Sequence, residues 1–122
     1  MTDLYWVKSL DNNWLDLKRI DLQLMMRNPS RPHGIYIIWH GGANPKIIRI
    51  GTGDVVKKLI AHRANPQITR YAKNGPLMVT WAVQPDPRRQ AGIAKYLTEQ
   101  FYPLVRDVPL DIPAIAVRSP FA

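Results

Sequence analysis

Eleven prolines are spread along this chain of 122 residues, and no other feature limits its secondary structure as sharply. Proline locks φ, lacks a backbone N–H and pushes the residue before it out of helical geometry, so helices and central strands must fit between prolines. Asn28-Pro29-Ser30-Arg31-Pro32 ends whatever precedes it. Pro45, Pro66, Pro76, Pro85, Pro87 and Pro103 divide the middle of the chain into segments of one or two elements. Pro109, Pro113 and Pro120 leave residues 104–122 as an extended tail over the body.

The segments carry readable patterns. Gly34 to His40 is rich in β-branched and aromatic residues and reads as a strand. Alternation puts Tyr36 and Ile38 on one of its faces and Ile35, Ile37 and Trp39 on the other. Gly41-Gly42-Ala43-Asn44-Pro45 is a turn, and Lys46 to Gly51 is a second strand, so the pair should form an antiparallel hairpin. Gly53-Asp54 opens a helix with Asp54 as its cap, and Val55, Leu59 and His62 share one face. Asn65-Pro66 starts a shorter helical turn through Tyr71, closed by Asn74-Gly75-Pro76.

Leu77 to Val83 is a third, buried strand, and the best helix runs from Arg88 to Tyr102 with a core stripe of Ile93, Leu97, Gln100 and Phe101. Nearer the start, Leu4 to Val7 is a strand candidate and Ile20 to Met26 has loosely helical spacing. The expected architecture is an α/β sandwich, β–β–α–(α)–β–α, around a three-stranded, mostly antiparallel sheet flanked by helices. The length fits one domain, residues 1–122, with no room for a second core.

Charge narrows the partners. Seventeen Lys and Arg against nine Asp and Glu give a net charge of +8, and a field of that sign attracts polyanions, nucleic acid above all. A membrane fits less well. No basic amphipathic helix stands out, and no apolar run approaches the ~20 residues that cross a bilayer. Met1-Thr2-Asp3 does not begin a secretory signal. The absence of cysteine excludes disulfides, thiolate metal sites and thiol catalysis, and fits a cytoplasmic protein.

Gly34-Ile35-Tyr36 in the first strand, Arg49-Ile50-Gly51 in the second, Lys58-Leu59 and His62 on the next helix, a third strand and a closing helix stopped by Pro103 follow in order. Over residues 34–103 this arrangement resembles the GIY-YIG nuclease family. It is most similar to small stand-alone bacterial members with a Trp-His-Gly-Gly turn, here Trp39 to Gly42, and an Arg-x-Gly-x-Gly run, here Arg49 to Gly53. Residues 1–33 are then an N-terminal extension and residues 104–122 a Pro-rich tail.

The resemblance implies a GIY-YIG-type sandwich and hydrolysis of DNA phosphodiester bonds by in-line attack of water. In that scheme Tyr36 accepts or relays the water's proton. Lys58 stands where an arginine steadies the phosphate, keeping the charge but not the bidentate fork. Arg49 takes the second tyrosine position, where it can grip a phosphate oxygen, and His62 orients water or moves a proton. The family holds Mg2+ or Mn2+ with one glutamate on the closing helix, and that position falls on Ala94, nine residues before Pro103. A methyl group ligates no metal, so metal binding should be weakened or lost. Glu99 is expected to point away from the site, being about 140° further round the helix. Either natural decay to a binding-only domain or deliberate replacement of a glutamate explains Ala94.

His40, Arg63, Arg70, Arg88 and Arg89 are candidate contacts to a DNA backbone. Trp39, Trp81 and Tyr71 are candidates for stacking on single-stranded bases, although Trp39 and Trp81 lie in expected strands and should be core. Arg49 is flanked by Ile47, Ile48 and Ile50, where an idle charge is costly, so it should face a cleft. Three readings follow: a metal-dependent DNA endonuclease inactive or nearly so as written, a non-catalytic nucleic-acid-binding module, and a protein-interaction domain docking through Val108 to Phe121. The partner expected is DNA, single-stranded or duplex, with self-association as a homodimer one source of specificity.

Overall fold

Residues 1–107 and 111–121 are described in the computed structural model of the chain; Val108, Pro109 and Leu110, which belong to the segment expected to dock, and Ala122 lie outside the described residues. In chain order the elements are β1 (Leu15–Asp16), α1 (Leu22–Met26), β2 (His33–His40), β3 (Lys46–Asp54), α2 (Val55–Arg63), α3 (Pro66–Thr69), a 3₁₀ turn (Arg70–Asn74), β4 (Leu77–Val83) and α4 (Pro87–Phe101). The sheet order is β1-β4-β2-β3, with every neighbouring pair antiparallel. The α/β class agrees with the sequence expectation. The sheet has four strands, not three, because Leu15 and Asp16 pair with Val79 and Met78 at the edge of β4. Two residues are too few to show alternation in a sequence.

β2 lies between β3 and β4, and Gly34 to His40 are all buried, which is why this strand is apolar on both faces. Its start requires glycine. A Cβ on Gly34 would stand 1.9 Å from the Ala82 carbonyl oxygen of β4. Below the sheet, Tyr36 and Ile38 pack with Leu17, Leu22, Val55, Val56, Leu59 and Ile68. Above it, Ile35, Ile37 and Trp39 pack with Ile93, Leu97 and Val117. Each fully buried Leu or Ile contributes about 2 kcal/mol of hydrophobic stabilisation. The sheet is therefore held between α1–α3 on one side and α4 with the tail on the other.

Caps set where the helices begin. The Asp54 carboxylate accepts from the Lys57 N–H at 3.3 Å and is paired with Arg31 at 2.9 Å, which ties the start of α2 to the turn before β2. Asp86 accepts from the Arg88 N–H at 2.9 Å, and Pro87 occupies the first turn of α4. Helix α4 ends at Tyr102, whose φ of 48° is left-handed, with Pro103 behind it.

Three details differ from the sequence reading. Gln100 is exposed rather than core; Gln90 is the buried glutamine, donating to the Gln84 carbonyl at 2.6 Å. Leu4 to Val7 forms no strand. It runs beside β4 instead, with the Val7 N–H donating to the Trp81 carbonyl at 2.9 Å and the Thr80 hydroxyl to the Val7 carbonyl at 2.8 Å. The start of the tail joins the free edge of β3: the N–H groups of Leu104 and Val105 donate to Ile47 and Ile48 at 3.1 and 2.8 Å. No helix among the described residues is long and apolar enough to cross a membrane.

Candidate functional site

Tyr36 and Gly51 face each other across β2 and β3, and their sizes are matched. A Cβ on Gly51 would stand 2.1 Å from the Tyr36 hydroxyl oxygen, so glycine is what lets the ring lie across β3. The hydroxyl then reaches α2, where His62 Nε2 is 2.6 Å away. Tyr36 is 1% exposed, and this burial raises its pKa, with Arg49 opposing the rise. The phenol is therefore protonated near neutral pH. Burial lowers the His62 pKa to about 4, Arg49 and Lys58 push in the same direction, and Asp107 opposes them.

A neutral imidazole carries one N–H, so two tautomers satisfy the contact with Tyr36. His62 Nδ1 is buried with no hydrogen-bond partner. A proton on Nδ1 would leave a buried donor unmet, whereas a proton on Nε2 leaves only a bare lone pair, the lesser omission. The second arrangement is favoured. His62 then donates to the Tyr36 oxygen, and the Tyr36 O–H is free for the cavity that Tyr36 lines.

That cavity, ≈ 550 Å³, is bounded by β3, α2, α4 and the segment after α4. Tyr36, Arg49, Lys58 and Ala94 all line it, so four of the five residues expected to act together share one cavity, with His62 behind Tyr36. The Arg49 side chain is 16% exposed and bonds the Asp107 carboxylate through Nη2 at 2.7 Å. Burial pulls the Arg49 pKa down, and the hydrogen bond and charge of Asp107 more than offset this. Arg49 Nε is buried without a hydrogen-bond partner.

Lys95, Arg106, Glu99 and Asp107 complete the charged lining. Sequence reasoning missed Lys95, Arg106 and Asp107 as site residues. The available signals were the position of Lys95 beside Ala94 and the charged pair Arg106-Asp107 shortly after Pro103. It also misplaced Glu99, which lines the same cavity as Ala94. The wall contributed by α4 spans Ala91 to Tyr102, so an offset of about 140° does not remove a residue from it.

The donor set does not fit a resident divalent cation. Such ions take several oxygen ligands. Of the two lining carboxylates, Asp107 is engaged by Arg49 and Glu99 stands among cations, while Ala94 offers a methyl group. Among the described residues no group of three or more His, Asp or Glu is placed to hold a metal ion. Four lining cations against two carboxylates suit an anion better.

The five expected backbone contacts are dispersed, and none lines this cavity. His40 is 5% exposed at the end of β2, closed to any DNA backbone. Arg63 is half-buried and donates to the carbonyls of Leu17 at 2.6 Å and Ile20 at 2.7 Å, which makes it a brace for the N-terminal segment. Arg70 lies over the Tyr71 ring, 4.9 Å from its centroid. Arg88 is exposed, and Arg89 is exposed and 3.9 Å from Asp86. Trp39 and Trp81 are buried as expected, at 7% and 6% exposure.

The His62 environment has a measurable consequence. The folded chain holds this group at about 4, below the unperturbed ~6.5. As pH falls the unfolded chain therefore takes up the proton first. The stability linked to neutral His62 is complete above pH ~6.5 and is lost as pH falls toward 4, by on the order of 2 kcal/mol after discounting for partial exposure. Urea unfolding between pH 7 and 4 should show this slope, and His62→Gln should flatten it. An unaltered slope in the variant would show that His62 is not held neutral.

The chain matches no protein-family model, no curated protein and no solved structure.

Proposed function

We propose that this chain is a nucleic-acid-binding module on a GIY-YIG-type frame that grips a phosphodiester without cutting it as written. The observation that carries this reading is the shared cavity of Tyr36, Arg49, Lys58 and Ala94: three donors to phosphate oxygens beside a position with no metal ligand. Arg49 supplies a fork of N–H groups, Lys58 a point charge and Tyr36 a neutral hydroxyl donor. Asp107, whose side chain is 73% exposed, holds Arg49 until an anion takes its place. His62, already donating to Tyr36, orients that hydroxyl and is too weak a base to activate water efficiently.

The related reading, a metal-dependent DNA endonuclease disabled at one position, is favoured by the place of Ala94 on the cavity wall. Both readings expect binding. Single-stranded DNA in EDTA should bind with an affinity that falls as salt rises, with a log–log slope of about −0.7 for each phosphate neutralised. Lys58→Ala should reduce the steepness by about 0.7, and the strand should survive incubation with magnesium. Binding that ignores salt, or no binding at all, would overturn the proposal.

A further inference from the structure

Beyond Tyr102 the chain encloses a second cavity of ≈ 700 Å³, walled by Trp14, Trp39, Phe101, Tyr102 and Phe121, with Lys46 also on its lining. Its size falls in the range of pockets that hold small organic groups. The rings meet edge to face: Trp14 and Trp39 at 88°, Trp39 and Phe121 at 82°, Phe101 and Phe121 at 89°. In an edge-to-face pair the edge of one ring covers part of the other's face, and Lys8 Nζ lies 4.3 Å from the Trp14 ring centroid, so the ring most open to a flat guest is Tyr102. Tyr102 is 69% exposed and Leu104 42%.

The two cavities are neighbours. Tyr102 lines both, and along the segment behind it Pro103 and Val105 line the basic cavity while Leu104 lines the aromatic one. The segment Tyr102 to Val105 is the wall they share. The left-handed Tyr102, with φ 48°, and the proline after it fix that wall. Arg106 lies against it, its guanidinium carbon 5.6 Å from the Tyr102 ring centroid. An anion seat and an aromatic slot on two sides of one wall suit a ligand that carries both a flat apolar group and a phosphate.

We infer that the aromatic cavity takes one unpaired nucleobase of the strand whose phosphate lies in the basic cavity. This rests on the phosphodiester reading above and sharpens it, since it selects single-stranded nucleic acid. In a duplex the bases are stacked on one another, and extruding one is unfavourable. A single strand presents its base faces directly to aromatic side chains. Lys46 on the lining and Arg106 beside the shared wall keep the path positive for the backbone.

Fluorescence anisotropy in EDTA with three labelled 12-mers tests the inference: oligothymidylate, a fully abasic strand of the same length, and a 12-bp duplex. Oligothymidylate should bind about 5- to 100-fold more tightly than the abasic strand, the effect of stacking one base, and more tightly than the duplex. Trp14→Leu and Phe121→Leu should each remove most of that ratio while abasic affinity stays within about twofold. Trp14→Phe should restore it, and thermal melts verify that each variant folds. Equal affinity for the two single strands, tighter binding of the duplex, or an undiminished ratio in folded Leu variants would overturn the base cavity and leave the phosphate reading standing. If neither single strand binds, the phosphate reading fails and this inference fails with it.

Discussion

Ala94→Glu is expected to cut DNA in magnesium where the chain as written does not. Ala94 lines the same cavity as Tyr36 and Lys58, so a longer side chain there can extend into it. Alanine and glutamate are both good helix formers, and the change should cost α4 only a few tenths of a kcal/mol. A glutamate there would supply an oxygen ligand to an ion that takes its remaining oxygens from water and phosphate. Stabilising the charge that develops on the phosphate contributes several kcal/mol. A gain of about 4 kcal/mol corresponds to roughly a thousandfold in rate. Cleavage of labelled single- and double-stranded DNA with magnesium, against an EDTA control, measures it. Binding without any cleavage by the variant would contradict the nuclease reading and leave the binding module.

Gly51→Ala should strongly destabilise the folded state through the site itself. The added methyl would stand 2.1 Å from the Tyr36 hydroxyl oxygen and 2.3 Å from the ring carbon that bears it. The ring cannot swing aside, because it is 1% exposed and its hydroxyl lies 2.6 Å from His62. Forced overpacking of this kind costs about 3 kcal/mol, which lowers the melting temperature by roughly 10 °C in a domain of this size. A variant melting within 2 °C of the parent would mean that Tyr36 and Gly51 are not in the contact described.

The sequence was most informative where an element is bounded by residues with one physical meaning. β4 was read with its observed ends because Pro76 and Pro85 bracket a β-branched run. α4 was read to within one residue at each end because Asp86 caps it and Pro103 stops it. The division of β2 into a Tyr36 face and an Ile35 face followed from alternation alone and matches the two core clusters. What escaped notice has no period. β1 has two residues; the segment at Val7, expected as a strand, is held to β4 by hydrogen bonds without forming one.

Charges were harder to place for a related reason. Residue type does not tell whether an arginine faces solvent, a carbonyl or a cavity. Arg63 braces Leu17 and Ile20, and nothing in its neighbours along the chain announces this. Asp107 lines the site because the turn at Tyr102 folds the next residues back against β3, and Lys95 because α4 forms one wall of the cavity. That arrangement is set by tertiary packing rather than by local sequence. Arg49 is the exception: its isoleucine neighbours made a solvated position costly, and its side chain is indeed largely buried.

The central claim is that a specific cavity, not the net charge of +8, holds the phosphodiester. Binding of one single-stranded 12-mer at ~0.1 M salt in EDTA should be compared for the parent, an Arg49→Ala/Lys58→Ala double variant and an Arg70→Ala/Arg88→Ala double variant. Both variants lose two positive charges, but only the first pair lines the cavity. Charge-assisted hydrogen bonds contribute about 1.5–3 kcal/mol each, so the cavity pair should weaken binding at least tenfold and the control pair by no more than about threefold. Equal losses in the two variants, or undiminished binding without Arg49 and Lys58, would contradict the account.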